Sequence, residues 1–166
     1  ISFVVAGYNR DDSHAVYSCH VPGKIIESRK KNQYGMSWLG QDDVVSRIIL
    51  GYDQRIVNVK LINDWVTQNG VDNFRQQMNS LEYNIGWGTL TLQDAIDFGK
   101  LMIETTSAIQ RFSDGVLAAP GSVPGVGGHV DVAVVSPQKG FVWCDKKSIR
   151  VGDKVVDFDQ LPDIKK

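Results

Sequence analysis

Only two cysteines, Cys19 and Cys144, and five prolines occur in the 166 residues. Two cysteines cannot build the dense disulfide framework of a small secreted domain, and a buried free thiol behaves as a small hydrophobe. No Cys-x-x-Cys, His-Glu-x-x-His or calcium-loop spacing occurs, and His14, His20 and His129 are not spaced as ligands. No metal and no cofactor is therefore expected. Apolar runs such as Phe3–Ala6 and Val132–Val135 have strand length, far short of the roughly 18–20 residues of a membrane-spanning helix. No basic-then-apolar leader opens the chain. Charge of one sign is also missing: 18 basic and 19 acidic residues leave a net charge of -1. Neither nucleic acid nor membrane is expected as a partner, because no overall field attracts either one.

What is present is ordinary for a folded domain. Apolar residues make up 42% and charged residues 22% of the chain. That excludes disorder, collagen and coiled coil, and the length fits one domain over 1–166. The pattern runs strands, then helices, then strands. Ser2–Tyr8 is apolar and β-branched, and Asn9-Arg10-Asp11-Asp12-Ser13 is a turn-forming cluster. His14–Val21 alternates, with Ala15, Tyr17, Cys19 and Val21 on one side. The two segments predict an antiparallel hairpin, closed by Pro22-Gly23. Lys24–Ser28 and Gln33–Trp38 predict a second short pair.

The period then lengthens to nearly four. Gln41-Asp42-Asp43 opens a helix carrying Val44, Val45, Ile48, Ile49 and Tyr52 on one face. Asp53–Gln68 is expected to continue as helix, with Asn69-Gly70 as its stop. Val71, Phe74, Met78, Leu81 and Ile85 form a further stripe. Thr91-Leu92-Gln93-Asp94 resembles a capping box with Asp in place of Glu, and opens the clearest helix. Its stripe of Leu92, Ala95, Ile96, Gly99, Met102, Ile103 and Ile109 is widened by Phe98, Leu101, Ala108 and Phe112. So broad an apolar surface predicts cover on two sides. Gly115–Gly128 is a glycine-rich loop, and His129–Val135, Phe141–Cys144 and the pair around Gly152-Asp153 return to strand.

Candidate chemistry is sparse. Gly125-Val126-Gly127-Gly128 offers free amides, but it follows a helix and precedes a strand. Phosphate loops run strand, loop, helix, so a crossover loop is the better reading. Gly35-Met36-Ser37-Trp38-Leu39-Gly40 is not Gly-x-Ser-x-Gly. Ser113 and Asp114 are the weak catalytic candidates, and the plain alternative is a helix end closed by Gly115. Lys24, Arg29, Lys30 and Lys31 read as a solvated hairpin tip. Trp38, Trp65, Trp87 and Trp143 read as core or interface residues.

Several of these segments, in order, resemble a known family. Phe3-Val4-Val5-Ala6-Gly7-Tyr8-Asn9, His14-Ala15-Val16-Tyr17-Ser18 and Pro22-Gly23 are similar to the middle strands of proteasome-type subunits. Leu90-Thr91-Leu92-Gln93-Asp94-Ala95-Ile96 resembles the start of that family's long helix. Gly127–Val135 with Gly140-Phe141-Val142-Trp143 resembles its closing strands. Gln54–Gly88 is longer than the family carries there, which marks a divergent branch. The resemblance implies an α+β fold of Ntn-hydrolase type, an αββα sandwich of antiparallel sheets that lacks its N-terminal strands here. It also implies a cytoplasmic protein.

In active members an N-terminal Thr, Ser or Cys attacks, and its own amine serves as base. Ile1 has no such side chain, and Ser2 lies on a strand similar to the family's middle. The nucleophile is therefore expected upstream. Arg111-Phe112-Ser113-Asp114-Gly115 replaces the family's Asp-x-x-Ser-Gly motif. Two functions follow as expectations. One is hydrolysis of an amide or peptide substrate, completed by the upstream segment. The other is a non-catalytic, homo-oligomeric assembly subunit associating through Trp65, Phe74 or Met78.

Overall fold

The computed structural model describes residues 1–113, 125–151 and 154–156. The chain separates into two compact units, Ile1–Gly127 and Gly128–Lys166.

The first unit opens with a three-stranded antiparallel sheet of β1 (Ser2–Tyr8), β2 (His14–His20) and β3 (Ile25–Arg29), in that order. The expected hairpin forms. Ser2 faces His20 and Tyr8 faces His14, with no slip between them. Its turn is built as the sequence asks: Asp11 accepts from the Ser13 amide at 3.1 Å and from the Ser13 hydroxyl at 2.6 Å, an Asx turn beside the backbone bond from the Asn9 amide to the Ser13 carbonyl at 2.8 Å. These bonds hold the Asp11 carboxyl below its usual range. The predicted strand at 33–38 does not form. The Met36 carbonyl accepts from the Arg29 guanidinium at 2.8 Å, not from a neighbouring strand.

Among the described residues four α-helices follow: α1 (Asp43–Leu50), α2 (Lys60–Asn69), α3 (Val71–Met78) and α4 (Leu92–Gln110). Gly51 ends α1 at φ 78°, where a Cβ would meet the Leu81 Cβ at 2.6 Å. A single helix over 53–68 was expected, and the structure breaks it. Gln54–Asn58 is a 3-10 turn because the Asp53 side chain caps the Arg55 amide at 2.8 Å. That early cap, with Val59 in an extended conformation, restarts the chain as α2. Gly70 ends α2 as expected and starts α3. Thr91 caps α4 with both halves of the capping box present. The Thr91 amide donates to Asp94 at 3.0 Å, and the Asp94 amide donates to the Thr91 hydroxyl at 3.1 Å.

The main core lies where α1 meets α4. Val45, Ile49 and Met102 are buried there, with Trp38, Ile85 and Phe98 packed around them. The expectation that α4 is covered on two sides is not met: Met102 and Thr106 are its buried residues, while Leu92, Leu101, Ile103 and Ile109 are exposed. Its stripe is wide, but the described contact of α4 is with α1 alone among the larger packings. Phe74 is buried, with the Tyr52 ring at 5.9 Å and the Trp65 ring at 6.4 Å. It therefore packs within the chain, which corrects its reading as an association surface. Aromatic rings at such edge contacts gain more from the pocket than from a wet surface.

The sheet is covered far less. Ala15 and Cys19 are buried, but Phe3, Val5 and Ile25 on the same face are exposed. Val4, Tyr8 and Ile26 are exposed on the opposite face. Both cysteines are free thiols, Cys19 buried and Cys144 exposed.

Among the described residues the second unit contains two antiparallel strand pairs. One pairs β4 (Val132–Ser136) with β5 (Gly140–Asp145), and the other pairs β6 (Ile149–Val151) with β7 (Lys154–Val156). The β4–β5 pair matches the turn signal at 136–140, and β6 and β7 pair as expected on either side of Gly152-Asp153, which lies outside the described residues. The class is thus α+β with small antiparallel sheets.

Candidate functional site

Ser113 follows the last turn of α4 and is half-buried; Asp114 lies outside the described residues. The Arg111 amide still makes an α-helical bond to the Ser107 carbonyl at 3.2 Å, and the chain then tightens as the Phe112 amide bonds the Ile109 carbonyl at 3.1 Å. Ser37 is exposed, and the segment before it is not a strand, so no strand-to-helix elbow presents it.

The glycine-rich loop is described from Gly125 onward. The Gly125 amide donates to the Gln41 side-chain oxygen at 3.0 Å, and the Val126 amide donates to the Gln110 oxygen at 2.9 Å. Gln110 in turn donates to Gln41 at 2.7 Å. Two amides that a phosphate would need are thus spent on glutamines. This amide ladder joins the start of α1, the end of α4 and the returning loop.

Two histidine pairs form. The Ser2 hydroxyl lies 2.8 Å from His20 Nδ1, as the hairpin register dictates. His129 Nε2 lies 2.9 Å from Asp145 and 3.9 Å from Asp131. Nucleophilic catalysis needs a hydroxyl, a base and a group that orients the base. Among the described residues no carboxylate bonds His20, and both members of the Ser2–His20 pair are exposed. Among the described residues no group of three or more His, Cys, Asp or Glu side chains is arranged to hold a metal. Among them too, no helix is long and apolar enough to cross a membrane.

The most buried charge cluster centres on Asp53. Burial pushes its carboxyl up, but bonds from the Arg55 side chain and amide and from Arg47 outweigh that, lowering it to about 2. Asp43 adds a second partner to Arg55 at 3.5 Å. Every charge in this cluster is paired, and it ties the end of α1 to the 3-10 turn.

One charge is not paired in this way. The basic hairpin tip was expected to be solvated. Lys30 and Lys31 fit that, lying 3.8 Å from Glu27 and 3.6 Å from Asp11 at the surface. Arg29 instead turns inward and is half-buried. Its guanidinium donates to the Ser28 carbonyl at 2.7 Å and to the Met36 carbonyl at 2.8 Å. Its Nε is buried with no acceptor among the described residues. It lines a cleft of about 570 Å³ with Asn32, Tyr34, Trp38, Leu50 and Trp87, and Glu82 also borders it. The sequence signal that could have found it is weak: Gly35, whose added Cβ would meet the Arg29 Nη2 at 2.9 Å.

Comparison with family models, curated proteins and solved structures finds no match to this chain.

Proposed function

We propose that this chain is part of a cytoplasmic proteasome-like Ntn-type fold, acting on an amide or peptide bond through an N-terminal nucleophile carried upstream of Ile1. The reading rests on the resemblance of the strand and helix segments. One structural observation supports it: the β1–β3 sheet carries exposed apolar residues on both faces, Phe3, Val5 and Ile25 on one and Val4, Tyr8 and Ile26 on the other. An antiparallel sheet with one solvated face alternates apolar with polar residues. A sheet apolar on both faces is the pattern of an inner layer, covered by a second sheet and by helices. In the αββα arrangement that second cover would bring the attacking hydroxyl or thiol. Treating the longest product of the gene with a β-lactone probe tests this. Acylation of an N-terminal Thr, Ser or Cys, seen as the added probe mass on the first peptide, is expected. A product that stays unmodified while folded argues against hydrolysis.

A second reading, a non-catalytic homo-oligomeric subunit, is favoured by the β1 edge. β1 is seven residues long, carries no charge and no proline, and pairs on one side with β2. Such an edge is a template for another strand. Sedimentation velocity across a wide concentration range distinguishes the two: this reading requires dimers or rings, and a monomer at every concentration ends it.

A further inference from the structure

We propose that the open edge of β1 pairs with β1 of a second copy of this chain, antiparallel and centred on Val5, joining two sheets into one. The pairing rests on the homo-oligomeric reading above and names the surface and register which that reading uses. Hydrogen bonds define the edge. The Ile1 nitrogen donates to the Val21 carbonyl at 2.9 Å, and the Val21 amide donates back to the Ile1 carbonyl at 2.8 Å. At the other end the Asn9 amide donates to the Ser13 carbonyl at 2.8 Å. The register between these pairs has no slip. In an antiparallel ladder alternate residues bond the same neighbour. Phe3, Val5 and Gly7 therefore bond β2, and Ser2, Val4, Ala6 and Tyr8 turn their N–H and C=O groups outward. These outward residues are exposed, and no described residue bonds their main chain on that side.

The two edges of the sheet differ. β3 follows Lys24, carries Glu27 and Arg29, and slips against β2 between Val16 and Tyr17. Charge and irregular pairing of that kind keep other strands from adding to an edge. β1 has neither. A second copy is the occupant because β1 complements itself. About a two-fold axis at Val5, Ser2 faces Tyr8 and Val4 faces Ala6, so every outward donor meets an acceptor. In that register Phe3 lies opposite Gly7 of the second copy, where an added Cβ would meet nothing within 4 Å. An aromatic ring opposite a cross-strand glycine fills the space that the missing side chain leaves. No charged side chain of β1 stands opposite another. The pairing satisfies the edge and leaves both faces of the joined sheet open.

The test is made on the full chain by sedimentation velocity and by cysteine cross-linking. One strand pair is a small interface, so a reversible dimer with Kd on the order of 10–100 μM is expected. Val4→Pro removes an outward N–H and none that bonds β2. It should weaken the dimer about tenfold or more while the circular dichroism is kept. Val5→Cys, in a Cys19→Ala, Cys144→Ser background, should oxidise to a disulfide-linked dimer. Val4→Cys and Ala6→Cys should not, because only position 5 meets its own copy. A monomer at every concentration overturns this pairing and the homo-oligomeric reading together. A monomer whose urea midpoint falls with Val4→Pro hands the edge to another segment of the chain and overturns both as well. A dimer that tolerates Val4→Pro, or that cross-links at 4 or 6 and not at 5, overturns this pairing and leaves that reading standing. Should Val4→Pro fail to fold, the cross-link at position 5 decides by itself.

Discussion

The contact of α1 with α4 and the β1–β3 sheet are built from equally apolar sequence, yet they end differently. In the helix pair, Ile49 is 2% and Met102 is 3% exposed. In the sheet, Val5 is 48% and Ile25 is 74% exposed. Hydrophobic patterning marks a face that gains from cover; it does not supply the cover. The helices find each other because α1 is followed by a chain that returns through Tyr83 and Ile85, and the Tyr83 amide bonds the Ile49 carbonyl at 3.0 Å. The segment after the sheet returns to it at His14 and Arg29, through Gln33 and Met36, and Val5 and Ile25 stay exposed. The difference separates a region whose apolar residues are buried within the chain from one whose apolar residues stay exposed.

The sharpest test of that contrast is Ile49→Ala, expected to cost about 3 kcal/mol in urea unfolding. A loss below about 1 kcal/mol would show that the helix pair is not a core. Next comes the acid limb. The Asp53 carboxyl is held at about 2 in the folded chain, below the ordinary aspartate value of 3.8. Because it is lowered on folding, its stabilisation is present above about pH 4 and is lost as the pH falls through about 2, a change on the order of 2 kcal/mol. Asp53→Asn should flatten that limb of the stability profile, and an unchanged limb would remove Asp53 from the ledger of the helix region. Thr91→Ala removes one half of the capping box and should cost about 1 kcal/mol, read as a lower urea midpoint. The smallest effect is expected in the sheet: Val5→Thr should change stability by less than about 0.5 kcal/mol in dilute solution. A much larger loss, or one that grows with protein concentration, would mean that this face is covered after all and would erase the contrast.

The sheet was legible in advance wherever its bonds are local. The hairpin register and the turn at Asp11 follow from alternation and turn chemistry. The capping box of α4 was legible for the same reason, since Thr91 and Asp94 are three residues apart. The long helix expected over 53–68 was not recovered, because Asp53 binds Arg47 and Arg55 and caps a new turn inside an otherwise helical pattern. The strand expected at 33–38 gave way to the side chain of Arg29. Of the candidate site, Ser113 is placed at the end of α4, and Asp114 falls outside the described residues. The Arg29 cleft was hidden because a basic run looks the same in sequence whether its members point outward or in.

Alone, the sequence determined the mixed α and β class of the chain, the first hairpin, the stop at Gly70 and the start at Thr91, since each depends on neighbours a few residues away. Tertiary structure alone decided which apolar faces are covered, that Phe74 is core, that Gln41 and Gln110 meet across 69 positions, and that Arg29 is turned into a cleft. Those outcomes depend on which distant segments share a volume, and no local period or propensity carries that information.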